Sequence, residues 1–183
     1  MQRIYFLRHG QSTFNAVYDR TGVDPMIFDA KLSACGWKQV DAVAAQVHAI
    51  RPDVIVSSPL SRALQTASGV RGATGAAIRV EAMHREHQVN SCDIGLPRTR
   101  LSQVFPALDF RQIPEIWWST REPDGDGIVV ETLESVRDRA DLFVGWLRRR
   151  SEKNILVVGH SGFFSLLTRY YMKNCELIEW TGD

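Results

Sequence analysis

The chain has 183 residues, a formal net charge of +1, 44% hydrophobic residues and 23% charged residues. The near-neutral charge excludes a protein built around a wide basic face for nucleic acid, and the apolar content excludes a disordered chain. A chain of this length buries enough surface for one core, so we expect residues 1–183 to form a single domain.

The first half of the chain alternates between short apolar segments and amphipathic patterns. β-branched and aromatic runs predict buried strands, and apolar residues at three- and four-residue steps predict helices with one buried face. Ser58 followed by Pro59 is a helix-start signal, with Ser58 as the cap. The predicted elements are a strand over 4–7, a helix over 13–18, a loop over 19–31, a helix over 33–50, a strand over 53–57, a helix over 58–70 and a strand over 77–81.

Prolines and polar turn residues interrupt the stretch 82–130 and predict short helices and loops, with a turn at 124–127. We expect this stretch to form a lid or an insertion. Trp117 and Trp118 lie within it and cannot both point from one helix into the core. One of them is expected either at the mouth of a pocket or partly buried against the domain.

The last third of the chain returns to regular patterning. An apolar stripe predicts a helix from Leu133 to Leu147, an apolar run predicts a strand over 154–158, and residues 163–172 predict a helix with buried aromatic side chains. Alternating strands and helices of this kind are typical of an α/β fold. We therefore expect a three-layer α/β/α sandwich around a mostly parallel sheet.

Unusual polar residues follow three of the predicted strands. Arg8 and His9 come after the first strand, Arg62 follows the second, and His160 follows the strand over 154–158. In a parallel sheet these ends share one edge, where ligands of such sheets bind. Arginine forks and helix N-termini both favour a dianionic phosphate. A histidine among these positive groups has a lowered pKa, and its neutral imidazole is a nucleophile.

A metal site on His9 and His160 is a weaker alternative. Arg8 and Arg62 bring positive charge into the same crevice, and no clear carboxylate ligand accompanies the two histidines. Cys92 is interpreted as a bystander thiol because no basic residue adjoins it. We therefore expect no metal site here.

The three cysteines, Cys35, Cys92 and Cys175, are odd in number and widely spaced. Such a set does not form a disulfide framework or a structural zinc site. No apolar run approaches the ~18 residues of a membrane span, and the apolar run near the start is too short for a signal peptide. We expect a cytoplasmic protein without a membrane or nucleic-acid partner.

Four ordered segments carry recognisable motifs. Residues 7–12 read Leu-Arg-His-Gly-Gln-Ser with Asn15 following, residues 32–39 read Leu-Ser-Ala-Cys-Gly-Trp-Lys-Gln, residues 57–67 read Ser-Ser-Pro-Leu-Ser-Arg-Ala-Leu-Gln-Thr-Ala, and residues 158–162 read Val-Gly-His-Ser-Gly. In this order they resemble the signatures of the histidine phosphatase superfamily, in its phosphoglycerate mutase-like branch. Four segments in family order, each at a strand end or a helix start, are a specific signal.

The resemblance implies a covalent mechanism. In the family the residue at His9 is the nucleophile that becomes a phosphohistidine, and no metal or organic cofactor is needed for hydrolysis. The residues that the resemblance assigns to phosphate binding and to charge stabilisation are Arg8, Asn15, Arg62, His160 and Ser161. The implied ligand is a small phosphorylated substrate or a phosphorylated protein.

An acidic residue should protonate the leaving oxygen and later activate water. In the family this acid follows the third strand, which makes Glu86 the choice here. Glu81 and Asp93 remain alternatives, although Glu81 is expected to end the strand and Asp93 to serve a turn. His84 and His87, which flank Glu86, are interpreted as loop residues without a role.

The resemblance implies a metal-independent phosphatase that hydrolyses a phosphomonoester. The alternatives are a phosphoglycerate mutase and a non-catalytic module that binds a phosphorylated ligand. Mutases of the family are generally longer than this chain, which disfavours the first alternative. Gln11 stands where many members carry Glu, so the resemblance does not identify the substrate.

Overall fold

A five-stranded sheet forms the centre of the protein, in a computed structural model that describes residues 2–120 and 128–182. The strands are β1 (Arg3–Arg8), β2 (Val54–Ser57), β3 (Ala77–Val80), β4 (Asn154–Gly159) and β5 (Leu177–Trp180). Their order in the sheet is β3-β2-β4-β1-β5. The first four strands pair in parallel, and β5 joins the edge antiparallel to β1. The prediction of a mostly parallel sheet in an α/β fold is confirmed.

Helices cover both faces of this sheet. They are α1 (Thr13–Thr21), α2 (Ala34–Ile50), α3 (Ser61–Thr74), α4 (Arg98–Val104), α5 (Leu133–Arg148) and α6 (Ser161–Thr168). Alternation along β1 places Phe6 in a core with α5 and α6, and Leu7 in a second core with α2 and α3. Two cores on opposite faces of one sheet make the predicted three-layer sandwich. Within the described residues, no helix has the length and apolar character needed to cross a membrane.

The C-terminal region differs from its prediction. Helix α6 ends at Thr168, not at residue 172, because Arg169 adopts a left-handed backbone conformation with φ 56°. Tyr171 is therefore exposed and not buried in the core. The chain then returns as β5, which sequence patterning did not predict. Trp180 of β5 stacks on Phe6, with ring centroids 5.1 Å apart.

The start of α3 also differs from its prediction. The helix begins at Ser61, and its N-cap residue, Leu60, makes no side-chain capping bond. The Asp29 carboxylate, from the loop before α2, accepts hydrogen bonds from both the backbone N–H and the hydroxyl of Ser61. Ser58 is not the cap that the sequence suggested. Its hydroxyl instead meets His160, 2.8 Å from the ring Nε2.

Residues 82–120 pack against the sandwich through a core of their own. This segment contains a 3-10 turn at Ser91–Asp93 and helix α4. Trp117 is buried beside Leu64 and Leu101, and its indole N–H donates to the Leu96 carbonyl. Of the two alternatives for the tryptophan pair, the structure therefore favours burial. The turn predicted at 124–127 lies outside the described residues, and the division into a domain with a lid stays a prediction.

Candidate active site

Two histidines leave the sheet side by side at the carboxyl edge of the parallel strands. Arg8 of β1 pairs with Gly159 of β4. The residues that follow, His9 and His160, therefore emerge at the same level, with ring centroids 5.2 Å apart. The strand register thus produces the convergence that the sequence predicted.

A cavity of about 330 Å³ opens above this edge. Its lining comes from the segment after β1, from α1, from α3, from residues 86–93, from the start of α6 and from the segment after α6. The lining residues are Arg8, His9, Ser12, Phe14, Asn15, Tyr18, Asp19, Arg62, Glu86, His87, Val89, Asn90, Cys92, Asp93, Gly162 and Tyr171.

The imidazole of His9 is fixed in one tautomer. Its Nδ1 lies 2.7 Å from the carbonyl oxygen of Gly10, which can only accept, so Nδ1 carries the proton. Its Nε2 accepts a hydrogen bond from Nε of Arg62 at 3.2 Å. Burial, and then the positive charges of Arg62 and Arg8, hold the pKa of His9 well below its ordinary value. The ring is therefore neutral at physiological pH, with its lone pair on Nε2.

Every side of the Arg62 guanidinium is held in place. Besides the bond from Nε to His9, Nη1 donates to the Cys92 carbonyl at 2.6 Å and Nη2 donates to Oδ1 of Asp93 at 2.9 Å. The second oxygen of Asp93 accepts the backbone N–H groups of Val89 and Asn90. Asp93 therefore orients Arg62, which agrees with its expected place in a turn.

Arg8 extends from the end of β1 into the same cavity. Its Nη1 donates to the carbonyl of Met172 at 2.7 Å, and its buried Nε has no hydrogen-bond partner among the described residues. Burial lowers the pKa of Arg8, although the charges of Glu86 and Asp19 oppose this shift. A half-buried cation with an unused donor is a ready partner for an anion.

His160 lies behind His9 and does not line the cavity. It is completely buried, and its Nδ1 has no hydrogen-bond partner in the described part of the chain. Burial, followed by the charge of Arg62, holds the pKa of His160 well below its ordinary value. The hydroxyl of the next residue, Ser161, donates to the Met172 carbonyl at 3.1 Å. Ser161 does not line the cavity either, and this bond already uses its hydroxyl.

Asn15 lines the cavity while it caps α1. Its Oδ1 accepts bonds from the backbone N–H and the hydroxyl of Ser12, and Ser12 accepts the N–H of Asn15 in return. This reciprocal arrangement is a capping box. The amide nitrogen of Asn15 is the part of the side chain that the cap leaves for a ligand.

Glu86 reaches the cavity from the segment that follows β3. Its carboxylate accepts the backbone N–H groups of His87, Gly162 and Phe163 at 2.8, 3.0 and 2.7 Å. Burial, and then the negative charge of Asp93, raise the pKa of Glu86 above its ordinary value, although the backbone N–H groups oppose this. A carboxyl group with a raised pKa in a cavity is suited to donate a proton.

The other two carboxyl groups considered from the sequence have different surroundings. Glu81 accepts the backbone N–H groups of Ala82 and Met83 and does not line the cavity. Asp93 lines the cavity, but protonation would break its ion pair with Arg62. The geometry thus favours Glu86 among the three candidates.

Gly162 leaves room for the Glu86 carboxylate. A Cβ atom added at Gly162 would lie 2.6 Å from Oε1 of Glu86, which is closer than real Cβ contacts allow. Gly162→Ala should therefore move the carboxylate and lower kcat by about 10- to 100-fold, while the fold is kept because the clashing group is the end of a flexible side chain. The measurement is kcat together with Tm.

The control for this prediction is Gly72→Ala. Gly72 lies in α3, where an added Cβ meets no atom within 4 Å, so this change should leave kcat unaltered and add about 0.5–1 kcal/mol of stability. A Gly162→Ala variant with the kcat of the wild type would show that the position of the carboxylate does not matter.

Other residues of the four motif segments, to which the sequence assigned no role, hold the backbone after β1 in place through hydrogen bonds. Thr66 accepts the backbone N–H of Gly10, and Oε1 of Gln39 accepts that of Gln11. A Cβ on Gly10 would lie 2.7 Å from the carbonyl oxygen of Gly36, so the two backbones touch. These residues lie in the quoted segments, but their partners are distant in sequence and only the fold shows the contacts.

His84 is a buried core residue, which corrects its interpretation as a loop residue without a role. Its Nε2 lies 3.2 Å from the Val158 carbonyl, and its ring stacks on Phe143. Burial lowers the pKa of His84 to about 3. His87 lines the cavity, and its Nε2 lies 2.8 Å from the Glu131 carbonyl. Periodicity did not indicate either contact.

No cluster of three or more His, Cys, Asp or Glu side chains suited to a metal ion occurs within residues 2–120 and 128–182. The two active-site histidines also point their Nε2 atoms at protein groups. Nε2 of His9 meets Arg62, and Nε2 of His160 meets Ser58.

Comparisons with known proteins bear on the family of the chain. Residues 4–181 match the sequence model of the histidine phosphatase superfamily (branch 1). The chain is 34% identical to phosphoglycerate mutase-like protein 1 of Arabidopsis thaliana, over 87% of this chain and 68% of that protein. It is 36% identical to a glucosyl-3-phosphoglycerate phosphatase of Mycobacterium tuberculosis, over 94% of this chain and 76% of that protein.

A solved structure shares the fold. The structure of a mycobacterial glucosyl-3-phosphoglycerate phosphatase with VO3 superimposes with a TM-score of 0.63 at 23% identity, covering 98% of this chain and 90% of that one. At this identity the likeness concerns the fold alone. The sequence motifs, the match over residues 4–181 and the shared fold lead to one conclusion. The chain belongs to the histidine phosphatase superfamily (branch 1), as its motifs predicted.

Proposed function

We propose that the protein hydrolyses a phosphomonoester through a covalent phosphohistidine on His9. The observation that carries this proposal is the state of the His9 ring. Its Nδ1–H is tied to the Gly10 carbonyl, and its Nε2, which accepts a hydrogen bond from Arg62, lies at the cavity that Arg8 and Arg62 also line. A neutral imidazole with a fixed lone pair is a competent nucleophile, and the arginines attract the phosphoryl group to it.

In the first step the hydrogen bond from Arg62 to Nε2 of His9 is released, and Nε2 forms a bond to phosphorus as the bond from phosphorus to the ester oxygen breaks. Glu86 donates its proton to the departing oxygen, so the leaving group departs as a neutral alcohol. The ring gains positive charge as the bond forms, and the hydrogen bond from Nδ1 to Gly10 stabilises that charge.

In the second step the Glu86 carboxylate takes a proton from water, and the oxygen of this water attacks phosphorus. The bond from phosphorus to Nε2 breaks, inorganic phosphate leaves, and His9 returns to its neutral form. One carboxyl group thus serves as the acid and then as the base.

The remaining polar groups are proposed to hold the phosphoryl oxygens. Arg8 and Arg62 supply charge from two sides, and Asn15 offers its amide nitrogen. His160 is proposed to support the His9 ring from behind, and the N-terminal turn of α6, which begins at Ser161, favours negative charge at this edge of the sheet. Their closeness to His9 supports these roles.

Hydrolysis of a small phosphorylated substrate is preferred over the two alternatives. The names of relatives include phosphatases as well as mutase-like proteins. A non-catalytic module has no need for a carboxyl group with a raised pKa in the same cavity as His9, and Glu86 provides one. A cytoplasmic location, and the absence of a nucleic-acid or membrane partner, stay predictions.

The experiment that tests this function is hydrolysis in ¹⁸O-labelled water with excess chelator. We expect inorganic phosphate to appear from simple alkyl phosphates and to carry one solvent oxygen, while the alcohol keeps its own oxygen. With 3-phosphoglycerate, isomerisation without phosphate release would instead identify a mutase. Binding of phosphate without turnover of any ester would identify a binding module.

A further inference from the structure

Arg139 of α5 is buried and donates hydrogen bonds to the backbone segment that carries Glu86. Its Nη1 donates to the carbonyls of Met83 and Arg85 at 2.9 and 2.7 Å, and its Nη2 donates to the carbonyl of Glu86 at 2.9 Å. Three carbonyls of one short segment thus converge on one guanidinium. We call these three hydrogen bonds of the guanidinium the fork. A fork of this kind fixes both the position and the orientation of a backbone, which a single donor cannot do.

The charge of Arg139 is balanced inside the protein by Glu131. Arg139 makes a two-pronged ion pair with this carboxylate, at 2.9 and 2.8 Å, and Arg85 adds a third bond at 2.8 Å. Ser135 donates to the same carboxylate from the first turn of α5. A buried ion pair is costly unless its polar atoms are satisfied, and here the partners are supplied.

The same guanidinium also touches the element that binds the Glu86 side chain. The guanidinium carbon of Arg139 lies 5.0 Å from the centre of the Phe163 ring. Phe163 is one of the α6 residues whose backbone N–H holds the Glu86 carboxylate. Arg139 therefore contacts both structures that determine where the carboxylate sits: the segment bearing Glu86 and the first turn of α6.

We propose that Arg139 is a positioning residue for the proton transfer, acting through the backbone of residues 83–86. Because Arg139 does not line the cavity, it has no direct contact with the substrate. The inference rests on the proposed function, in which Glu86 is the acid and base. It predicts that loss of the fork misplaces the Glu86 carboxyl group while the nucleophile and the arginines of the cavity stay in position.

The leaving group provides the test. An alkyl phosphate needs a proton on its departing oxygen, whereas 2,4-dinitrophenyl phosphate releases a stable phenolate without one. Formation of the phosphohistidine, which kcat/KM reports, therefore depends on a well-placed acid only for the alkyl ester. Arg139→Lys should lower kcat/KM for the alkyl ester by about 10- to 100-fold and change that for the dinitrophenyl ester by less than about threefold.

A second readout follows from the base role of Glu86. When water attack is slowed, the phosphoenzyme accumulates during turnover of the dinitrophenyl ester. Arg139→Lys should therefore show a rapid burst of dinitrophenolate followed by a slower steady rate. A purely structural defect lowers the fraction of active enzyme and reduces all rates together.

Lysine retains the positive charge beside Glu131, so the fold should survive. Its single ammonium group cannot reproduce the several hydrogen bonds of the guanidinium, so the positioning of residues 83–86 should be lost. The double variant Arg139→Met/Glu131→Gln removes both buried charges and keeps the volume, which provides a second route to a folded protein without the fork. Arg137→Met is the matched control, since Arg137 is exposed on the same helix. It should behave like the wild type.

The Glu86→Gln variant is measured alongside. We call a fall in kcat/KM for the alkyl ester, without a similar fall for the dinitrophenyl ester, a selective loss. A selective loss in Glu86→Gln and in the Arg139 variants would support the inference. Selective loss in Glu86→Gln, together with equal or no loss in the folded Arg139 variants, would overturn the inference alone. Absence of selective loss in Glu86→Gln would overturn the acid assignment and this inference with it.

Discussion

Replacing His9 with alanine is expected to lower kcat by at least about 10⁴-fold, because the variant lacks the side chain that bonds to phosphorus in the proposed reaction. The arginines remain, so inorganic phosphate should still bind. The change removes a neutral ring from a buried site, and a melting curve will show whether the fold is intact. The measurement is phosphate release from an alkyl phosphate, in parallel with binding of inorganic phosphate by calorimetry.

The control for this prediction is His48→Ala. His48 is an exposed imidazole on α2 whose Nδ1 meets the Ala73 carbonyl, and it does not line the cavity. It should leave kcat at the value of the wild type. A folded His9→Ala variant that retains more than about one hundredth of the wild-type kcat would contradict the role of His9 as the nucleophile.

The second large effect is expected from Glu86→Gln, which should lower kcat/KM for an alkyl phosphate by about 10²- to 10⁴-fold. Glutamine has nearly the shape of glutamate but cannot donate an acidic proton. It also turns an NH₂ group toward one of the backbone N–H donors that now meet the carboxylate, such as that of Gly162. Phosphate affinity should change little, because the arginines that are proposed to bind phosphate are untouched.

The dependence of kcat/KM on pH provides a second test of Glu86 as the acid. Glu86 must be protonated to donate, so kcat/KM should fall as the pH rises through its pKa, which burial and the charge of Asp93 raise. In Glu86→Gln this alkaline limb should disappear. Glu81→Gln is the control, since Glu81 does not line the cavity and should keep the full profile. An unchanged rate and an unchanged alkaline limb in Glu86→Gln would show that another group is the acid.

The sequence predicted those parts of the fold that depend on local pattern. Strands β1, β2 and β4 are apolar, buried runs, and α2 and α5 carry one clear apolar stripe each. Strand β5 was missed because its four residues are only half buried and include the exposed Glu179, so no apolar run marks them. The cap of α3 was misassigned because Asp29, which supplies it, lies about thirty positions earlier in the sequence.

The site was predictable where motif residues follow strand ends. Arg8 and His9 follow β1 directly, and the strand register alone places His160 beside them. The supports of the site were not predictable in the same way. Arg139 lies in a region that reads as an ordinary amphipathic helix, and the carbonyls that accept its hydrogen bonds are some fifty residues away. Long-range backbone contacts leave no periodic signal in the sequence.

The most direct test of the central claim is to trap the phosphoenzyme and locate its phosphoryl group. The Glu86→Gln variant is mixed with 2,4-dinitrophenyl phosphate, quenched in alkali to preserve phosphohistidine, digested and examined by mass spectrometry. We expect one phosphoryl group, labile to acid, on the His9 side chain in the peptide that contains Arg8 and Gly10. A phosphoryl group on Ser12, Ser58 or Cys92, or continued turnover with no labelled residue, would contradict the mechanism.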